Sequence, residues 1–187
     1  MAEPTITELM RHAGIVQEGD PRLSRMARRF ELPADREEAL SVIDALDAAA
    51  DRVSAVHEFA KGVGVAAPQI GIDRAAAIVR LPGGHSLILL NPVVVEESKE
   101  TDEQFEGCLS FFDVRGRVPR PLMMRVAHDR FDGSQQVSTF EHGTARLVAH
   151  EIDHLAGRLF REKMRPGAVP IPLSEYRGTG SAWQYSK

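Results

Sequence analysis

The sequence predicts an α+β fold in which short antiparallel or mixed strands surround a central helix, with an additional long helix near the N-terminus. Three observations support this prediction. Apolar residues recur at helical spacing over the first third of the chain, short apolar runs separated by Pro and Gly fill the middle, and helical periodicity returns near residue 150. Helices on either side of a strand-rich middle favour α+β over alternating βαβ units.

The N-terminal segment, residues 1–62, is predicted to be largely helical. Two short patches have helical spacing, Ile6 with Leu9 and Met10, and Leu23 with Met26. The long helix begins at a capping box in which Asp35 is followed by Glu38. Its apolar stripe runs until Gly62 and Gly64 end it, and consists of Ala39, Val42, Ile43, Leu46, Ala50, Val53, Val56 and Ala60.

The middle of the chain predicts strands, and the end predicts a helix and a tail. The apolar runs typical of strands are Ala75–Arg80, Leu87–Leu90, Val93–Val95, Leu122–His128 and Gln136–Phe140, the last two joined by a turn at Asp132-Gly133. Helical spacing returns from Thr144 to Leu155, and Gly157 ends it. The tail, residues 166–187, is rich in Pro, Gly and Ser and is predicted to be a loop or loosely packed extension.

Length and composition limit the class of protein. The 187 residues correspond to roughly one domain. A formal net charge of −4, from 23 Lys and Arg against 27 Asp and Glu, offers no broad basic face for duplex nucleic acid. The single cysteine, Cys108, suits a reducing compartment, and no run of apolar residues approaches the ~18 that a membrane helix needs. We therefore expect a cytoplasmic, single-domain protein that contacts no membrane.

The segment His150-Glu151-Ile152-Asp153-His154 carries the strongest chemical signal, because it fits the pattern H-E-x-x-H. At about 100° per residue, His150 and His154 lie about 40° apart on one helix face. Two imidazoles placed in this way can bind one divalent metal ion. Glu151 lies on the same side of the helix, where its carboxylate can reach a water molecule on the metal without being a ligand.

A catalytic site of this kind needs a third protein ligand, and the candidates are Cys108, another His or a carboxylate. A lone Cys is more often a small buried hydrophobic residue. Cys108, however, follows Gly107, which allows a close backbone approach, and a thiolate with two imidazoles suits zinc or ferrous iron. A further candidate wall of the site is Gly62–Gln69, where small residues precede an amide; a helix end followed by a loop is the alternative.

Taken together, these three segments resemble the peptide deformylase family. The resemblance rests on Gly62–Gln69 ending in Ala-Ala-Pro-Gln, Glu106–Ser110 reading Glu-Gly-Cys-Leu-Ser, and His150–Leu155 reading H-E-x-x-H-Leu, in that order. It extends from about Ile15 to Phe160 and implies one catalytic domain over residues 1–187. The implied reaction is hydrolysis of the N-formyl group from N-formylmethionine of newly synthesised proteins, with a metal-bound hydroxide attacking the formyl carbon and formate released.

The resemblance also implies a role for individual residues. Cys108, His150 and His154 would bind one divalent metal, natively Fe²⁺, with Zn²⁺, Ni²⁺ or Co²⁺ as substitutes. Glu151 would be the general acid and base, and Gln69 with the backbone N–H of Leu109 would stabilise the oxyanion. The substrate-binding candidates are Val63, Gly64, Gly107, Phe111 and Arg115.

The sequence leaves the roles of several residues open. Glu106 is either a hydrogen-bond acceptor for a ligand imidazole or an exposed carboxylate at a strand end. Arg115 and Arg120 are by default solvated surface residues. N-formylmethionyl nascent chains are the expected partners, and the ribosome is a weaker expectation because the tail does not favour a C-terminal docking helix.

The chain departs from the common family pattern at two places. Ala149 stands where many members have Gln, and Phe111-Phe112-Asp113 replaces the usual Val/Ile-Pro-Gly turn in a form that resembles actinobacterial members. Both differences put the substrate preference in question. The competing functions are a deformylase paralogue with altered or lost activity and a zincin-type endopeptidase, for which Glu162 and Glu175 would be the downstream candidate ligands.

Overall fold

The structure is a computed structural model that describes residues 4–176. Helix α1 (Ile6–His12) confirms the first predicted patch. Thr5 begins it with a capping box, because the Thr5 side chain accepts from the Glu8 N–H and the Glu8 carboxylate accepts from the Thr5 N–H. The second patch is wrong as a helix. Residues Pro21–Ser24 form a 3₁₀ turn in which Leu23 is buried, whereas Met26 is 78% exposed.

Helix α2 (Arg36–Val56) confirms the long predicted helix but ends before Gly62, because His57 takes an extended backbone conformation. The apolar stripe is buried as predicted up to Val53. The capping box at its start does not form. The Asp35 carboxylate accepts from the Glu31 N–H instead, and Glu38 forms an ion pair with Arg74.

Within residues 4–176 the strands form two antiparallel sheets, which confirms the α+β class. They are β1 (Val63–Ala66), β2 (Ala76–Arg80), β3 (Ser86–Glu97), β4 (Thr101–Glu106), β5 (Val114–Pro121), β6 (Met123–Asp129), β7 (Gln135–Glu141) and β8 (Ile171–Pro172). The larger sheet has the order β1-β2-β3-β6-β7, and the smaller has the order β4-β5-β8. All pairings in the described part of the chain are antiparallel.

Three strand predictions need correction. Leu87–Leu90 and Val93–Val95 belong to one strand, β3, because a shift in register between Leu90 and Val93 accommodates Pro92. Strand β1 occupies the glycine-containing segment for which a helix end followed by a loop was the alternative to a wall of the site. Strand β8 and the turn after it occupy residues 171–176 of the predicted loop-like tail, and residues 177–187 lie outside the described residues.

Helix α3 (His142–Leu155) confirms the helix predicted from Thr144 to Leu155 and lies where the two sheets meet. It contacts β1 and β2 of the larger sheet and β5 of the smaller one. Helix α2 packs on β1 and β2 through the largest apolar cluster of the core. Within residues 4–176, no helix combines the length and apolar character needed to cross a bilayer.

Candidate active site and metal centre

The two motif histidines and Cys108 meet between α3 and the end of β4. Each residue offers one ligand atom, and these atoms lie within 4.8 Å of one another. The Cys108 Sγ is 3.3 Å from His154 Nε2. Cys108 and His154 are buried, and the His150 side chain is 11% exposed. A thiolate and two imidazoles at this spacing fit one divalent ion of the zinc or ferrous type.

The carboxylate of Glu106 orients one of these histidines. His150 Nδ1 donates to Glu106 Oε2 at 3.1 Å, which leaves His150 Nε2 to face the metal centre. Arg120 Nε and Nη2 donate to the two carboxylate oxygens at 2.9 and 3.0 Å, and Arg146 Nη1 donates to Oε1 at 2.7 Å. Glu106 is therefore the buried acceptor for an imidazole, and the exposed alternative is wrong.

The arginines of this cluster are also buried. The default interpretation of Arg120 as a surface residue is wrong, because it is 4% exposed and its Nη1 donates to Asp153 Oδ2 at 2.6 Å. Arg146 is 2% exposed, and its Nη2 donates to Asp102 Oδ1 at 2.5 Å. Burial alone would raise the pKa of Glu106, but the charge of Arg120 and the hydrogen bonds from His150 and Arg120 hold that pKa well below its usual range.

Glu151 lies on the same face of α3, directly above the backbone of β1. A Cβ built at Gly64 would lie 2.1 Å from Glu151 Oε1, so only glycine leaves room for this carboxylate. Glu151 Oε2 is buried and has no hydrogen-bond partner among residues 4–176. Burial raises the pKa of Glu151 to about 7, with His150 opposing the rise and Glu106 adding to it. A buried carboxyl oxygen without a partner is suited to a proton that moves during a reaction.

The amide of Gln69 points into the same space. Its Oε1 accepts from the Ala66 N–H at 2.9 Å, and this bond fixes which end of the amide faces the centre. Its Nε2 donates to Ser110 Oγ at 3.3 Å and lies 3.6 Å from Cys108 Sγ. Gln69 thus presents a fixed N–H donor beside the candidate ligand Cys108, which is the property required of an oxyanion donor.

Comparison with known proteins identifies the family. The model for the polypeptide deformylase family matches residues 12–168. The chain belongs to this family. Among curated relatives, peptide deformylase 1 of Bordetella pertussis is 38% identical over 168 residues, covering 83% of this chain and 89% of the relative. The Natranaerobius thermophilus deformylase is 35% identical, covering 77% of this chain and 86% of the relative.

Solved structures agree with this assignment. A class I type b deformylase from Acinetobacter baumannii superposes with a TM-score of 0.70 at 31% identity, covering 80% of this chain and 97% of the other. The same enzyme has been solved with Met-Ala-Ser bound, at a TM-score of 0.68 and 29% identity, covering 80% of this chain and 96% of the other. This chain is therefore a hydrolase that removes formyl groups, and its family is metal-dependent.

A cavity of about 300 Å³ opens next to the candidate metal ligands Cys108 and His150. Val63, Gly64, Gly107, Leu109 and Arg115 all line it, together with the catalytic candidates Gln69 and Glu151. Phe111 lies outside the cavity and packs against Phe160, with ring centroids 4.8 Å apart. The neighbouring Phe112 lines the cavity in its place.

Sequence reasoning missed several residues of the cavity wall. These are His57, Phe59, Lys61, Phe105, Arg146 and Tyr176. The default interpretation of Arg115 as a solvated surface residue is also wrong. Its guanidinium stacks on the Phe112 ring at 4.4 Å and lies against Gly107, so the side chain is half-buried in the site. The sequence around Arg115 could not predict that this side chain faces the cavity, because its orientation depends on the aromatic rings that surround it.

Substitution of Gly64→Ala is expected to reduce deformylase activity by at least about 100-fold while leaving the metal in place. The three atoms nearest to the added Cβ all belong to Glu151, so this carboxylate must move and the ligands need not. Formate release and elemental analysis test the prediction. Val137→Ala, at a residue 49% exposed on β7, is the control. Undiminished activity of Gly64→Ala would show that Glu151 does not act from this position.

Substitution of Glu106→Gln is expected to lower stability by about 3–5 kcal/mol, because it leaves two buried guanidinium groups without their shared anion. Metal affinity should fall about 10–100-fold, since His150 loses its orienting acceptor. Denaturant unfolding and competition with a chelator measure the two effects. The control is Glu103→Gln on the same strand, where the carboxylate accepts from Arg165 at the surface. Equal behaviour of the two variants would contradict the assigned role of Glu106.

Proposed function

We propose that this deformylase removes the formyl group from N-formylmethionyl peptides of newly made proteins and releases formate. The observation that carries the proposal is that three features converge on one cavity. They are Glu151 Oε2, which has no hydrogen-bond partner among residues 4–176, the fixed Gln69 N–H and the Cys-His-His cluster. The A. baumannii relative solved with Met-Ala-Ser supports it, because that peptide is what deformylation of formyl-Met-Ala-Ser leaves behind.

Cys108, His150 and His154 would hold one divalent metal, with Fe²⁺ as the proposed native ion and Zn²⁺, Ni²⁺ or Co²⁺ as substitutes. A divalent ion at this place would polarise the formyl carbonyl and lower the pKa of water in the site. Glu106 would keep His150 in the orientation that directs Nε2 to the ion. Arg120 and Arg146 in turn hold Glu106.

The chain's own groups would then move the proton and stabilise the charge. Glu151 accepts a proton from the attacking water at Oε2 as the new C–O bond forms. Gln69 Nε2 and the backbone N–H of Leu109 donate to the oxygen that becomes negative. Glu151 returns the proton to the amine nitrogen as the C–N bond breaks. One water and one formamide group thus give formate and a free N-terminal amine.

The site contains what a formyl substrate needs. A formyl group is the smallest acyl group, so it fits beside Gln69 and Glu151. The methionine side chain would occupy the apolar part of the cavity, where Val63, Phe112 and Leu147 form the wall. Gly64 and Gly107 leave space for the substrate backbone, and Arg115 borders it.

The endopeptidase alternative predicts a different third ligand. Among residues 4–176, the cluster able to hold a metal contains Cys108 and neither Glu162 nor Glu175. The Glu162 carboxylate instead accepts from the Leu159 N–H at 2.9 Å, at the start of the 3₁₀ turn Phe160–Lys163. Folding of residues 1–187 as one catalytic domain, contact with the ribosome and a cytoplasmic location stay predictions.

The proposed function predicts formate release from formyl-Met-Ala-Ser by protein purified without oxygen. Glu151→Gln should lower the rate about 10²–10⁴-fold while one metal per chain is retained. Cys108→Ala should lose the metal and with it the activity, whereas an endopeptidase would retain both. The measurements are formate production, elemental analysis and cleavage of an unformylated peptide.

A metal-loaded wild-type protein that releases no formate would contradict the proposal. It would favour a paralogue with altered or lost substrate activity. In that case Ala149 and the Phe111-Phe112 pair are the first positions to substitute.

A further inference from the structure

One part of the cavity wall is formed by residues close to the C-terminal end of the described chain, and not by β1 or β4. Residues 171–176, which we call the C-terminal strap, follow strand β5 along its outer edge. Strand β8 pairs with Val114 and Arg115, and the Leu173 N–H donates to the Asp113 carbonyl at 2.7 Å. A 3₁₀ turn, Leu173–Glu175, then brings Tyr176 to the cavity.

Tyr176 joins the two sides of the cavity. On one side its ring meets the ring of Phe105 edge-on, with centroids 5.4 Å apart, and lies 5.9 Å from the guanidinium carbon of Arg115. On the other side Lys61 Nζ donates to its hydroxyl at 3.5 Å. Phe105 belongs to β4 and Lys61 precedes β1, so the strap spans the space between these strands.

The two strands that Tyr176 connects are both sheet edges. In the part of the chain that the structure describes, β1 pairs only with β2, and β4 pairs only with β5. Residues of both strands line the cavity. An extended peptide can satisfy its backbone groups by adding to such an edge, with alternate side chains directed into pockets. A substrate peptide would therefore run between β1 and β4.

The catalytic groups and Tyr176 lie in opposite directions along these edges. Moving back along the chain from Gly64, which faces Glu151, leads to Lys61. Moving back from Cys108 leads to Phe105. Tyr176 contacts both of these residues. With the formyl group at the catalytic end, the residues that follow methionine extend along the edges towards the strap.

We propose that Tyr176 is a specificity-determining residue that packs against the substrate residues following the formylmethionine. This inference rests on the proposed deformylase function. The strap would then distinguish a formylated peptide chain from formylmethionine alone. The ring of Tyr176 supplies the contact, and its partners Phe105 and Arg115 hold the ring in place.

The test compares two substrates in wild-type protein and Tyr176→Ala. For formyl-Met-Ala-Ser, the loss of kcat/KM should exceed the loss for N-formylmethionine amide by about three- to tenfold, mostly through KM. Tyr176→Phe keeps the ring and should behave within about twofold of wild type. Val169→Ala, at a residue 79% exposed just before the strap and outside the cavity, is the matched control.

A binding measurement separates this inference from the proposed function. Calorimetry with Met-Ala-Ser and methionine amide on zinc-loaded protein needs no turnover, and Tyr176→Ala should weaken only the tripeptide by about three- to tenfold. Equal losses for both ligands, or no loss for the tripeptide, would overturn the role of Tyr176. A wild-type protein that binds Met-Ala-Ser but releases no formate would overturn the proposed function and leave the binding result as the test of the strap.

Discussion

The buried carboxylate of Glu106 is the group on which the rest of the site depends. Transfer of such an ion out of water costs several kcal/mol even after the protein relaxes. Glu106 offsets this cost through hydrogen bonds from Arg120, Arg146 and His150. These partners come from β5 and α3, whereas Glu106 ends β4. Satisfying one carboxylate therefore fixes the segment that carries Cys108 against the helix that carries both histidines.

Backbone contacts around Glu106 place the remaining candidate catalytic groups. Strand β1 approaches α3 closely enough for Glu151 to lie above Gly64, and the turn after β1 holds the Gln69 amide through the Ala66 N–H. The candidate metal centre thus lies where an edge of the larger sheet meets an edge of the smaller one. The backbone groups along these two edges border the path proposed for a peptide substrate, which could pair with them.

Local spacing explains what the sequence could predict. Helix α3 and its H-E-x-x-H face follow from a 3.6-residue period, and α2 follows from its apolar stripe. Strand β4 (Thr-Asp-Glu-Gln-Phe-Glu) gave no apolar signal, because its polar groups find partners in other elements. The burial of Arg120 depends on Glu106 and Asp153, which lie 14 and 33 positions away. Tyr176 could not be predicted either, because its contacts reach back to Phe105 and Lys61.

X-ray absorption spectroscopy of the zinc-loaded protein tests most directly whether one thiolate and two imidazoles share a single ion. The structure predicts one sulfur at about 2.3 Å and two imidazole nitrogens at about 2.0–2.1 Å from the metal. The Cys108→Ser variant should lose the sulfur signal. A first coordination shell made only of nitrogen and oxygen in the wild-type protein would contradict the assignment of Cys108, and with it the site that Glu106 holds together.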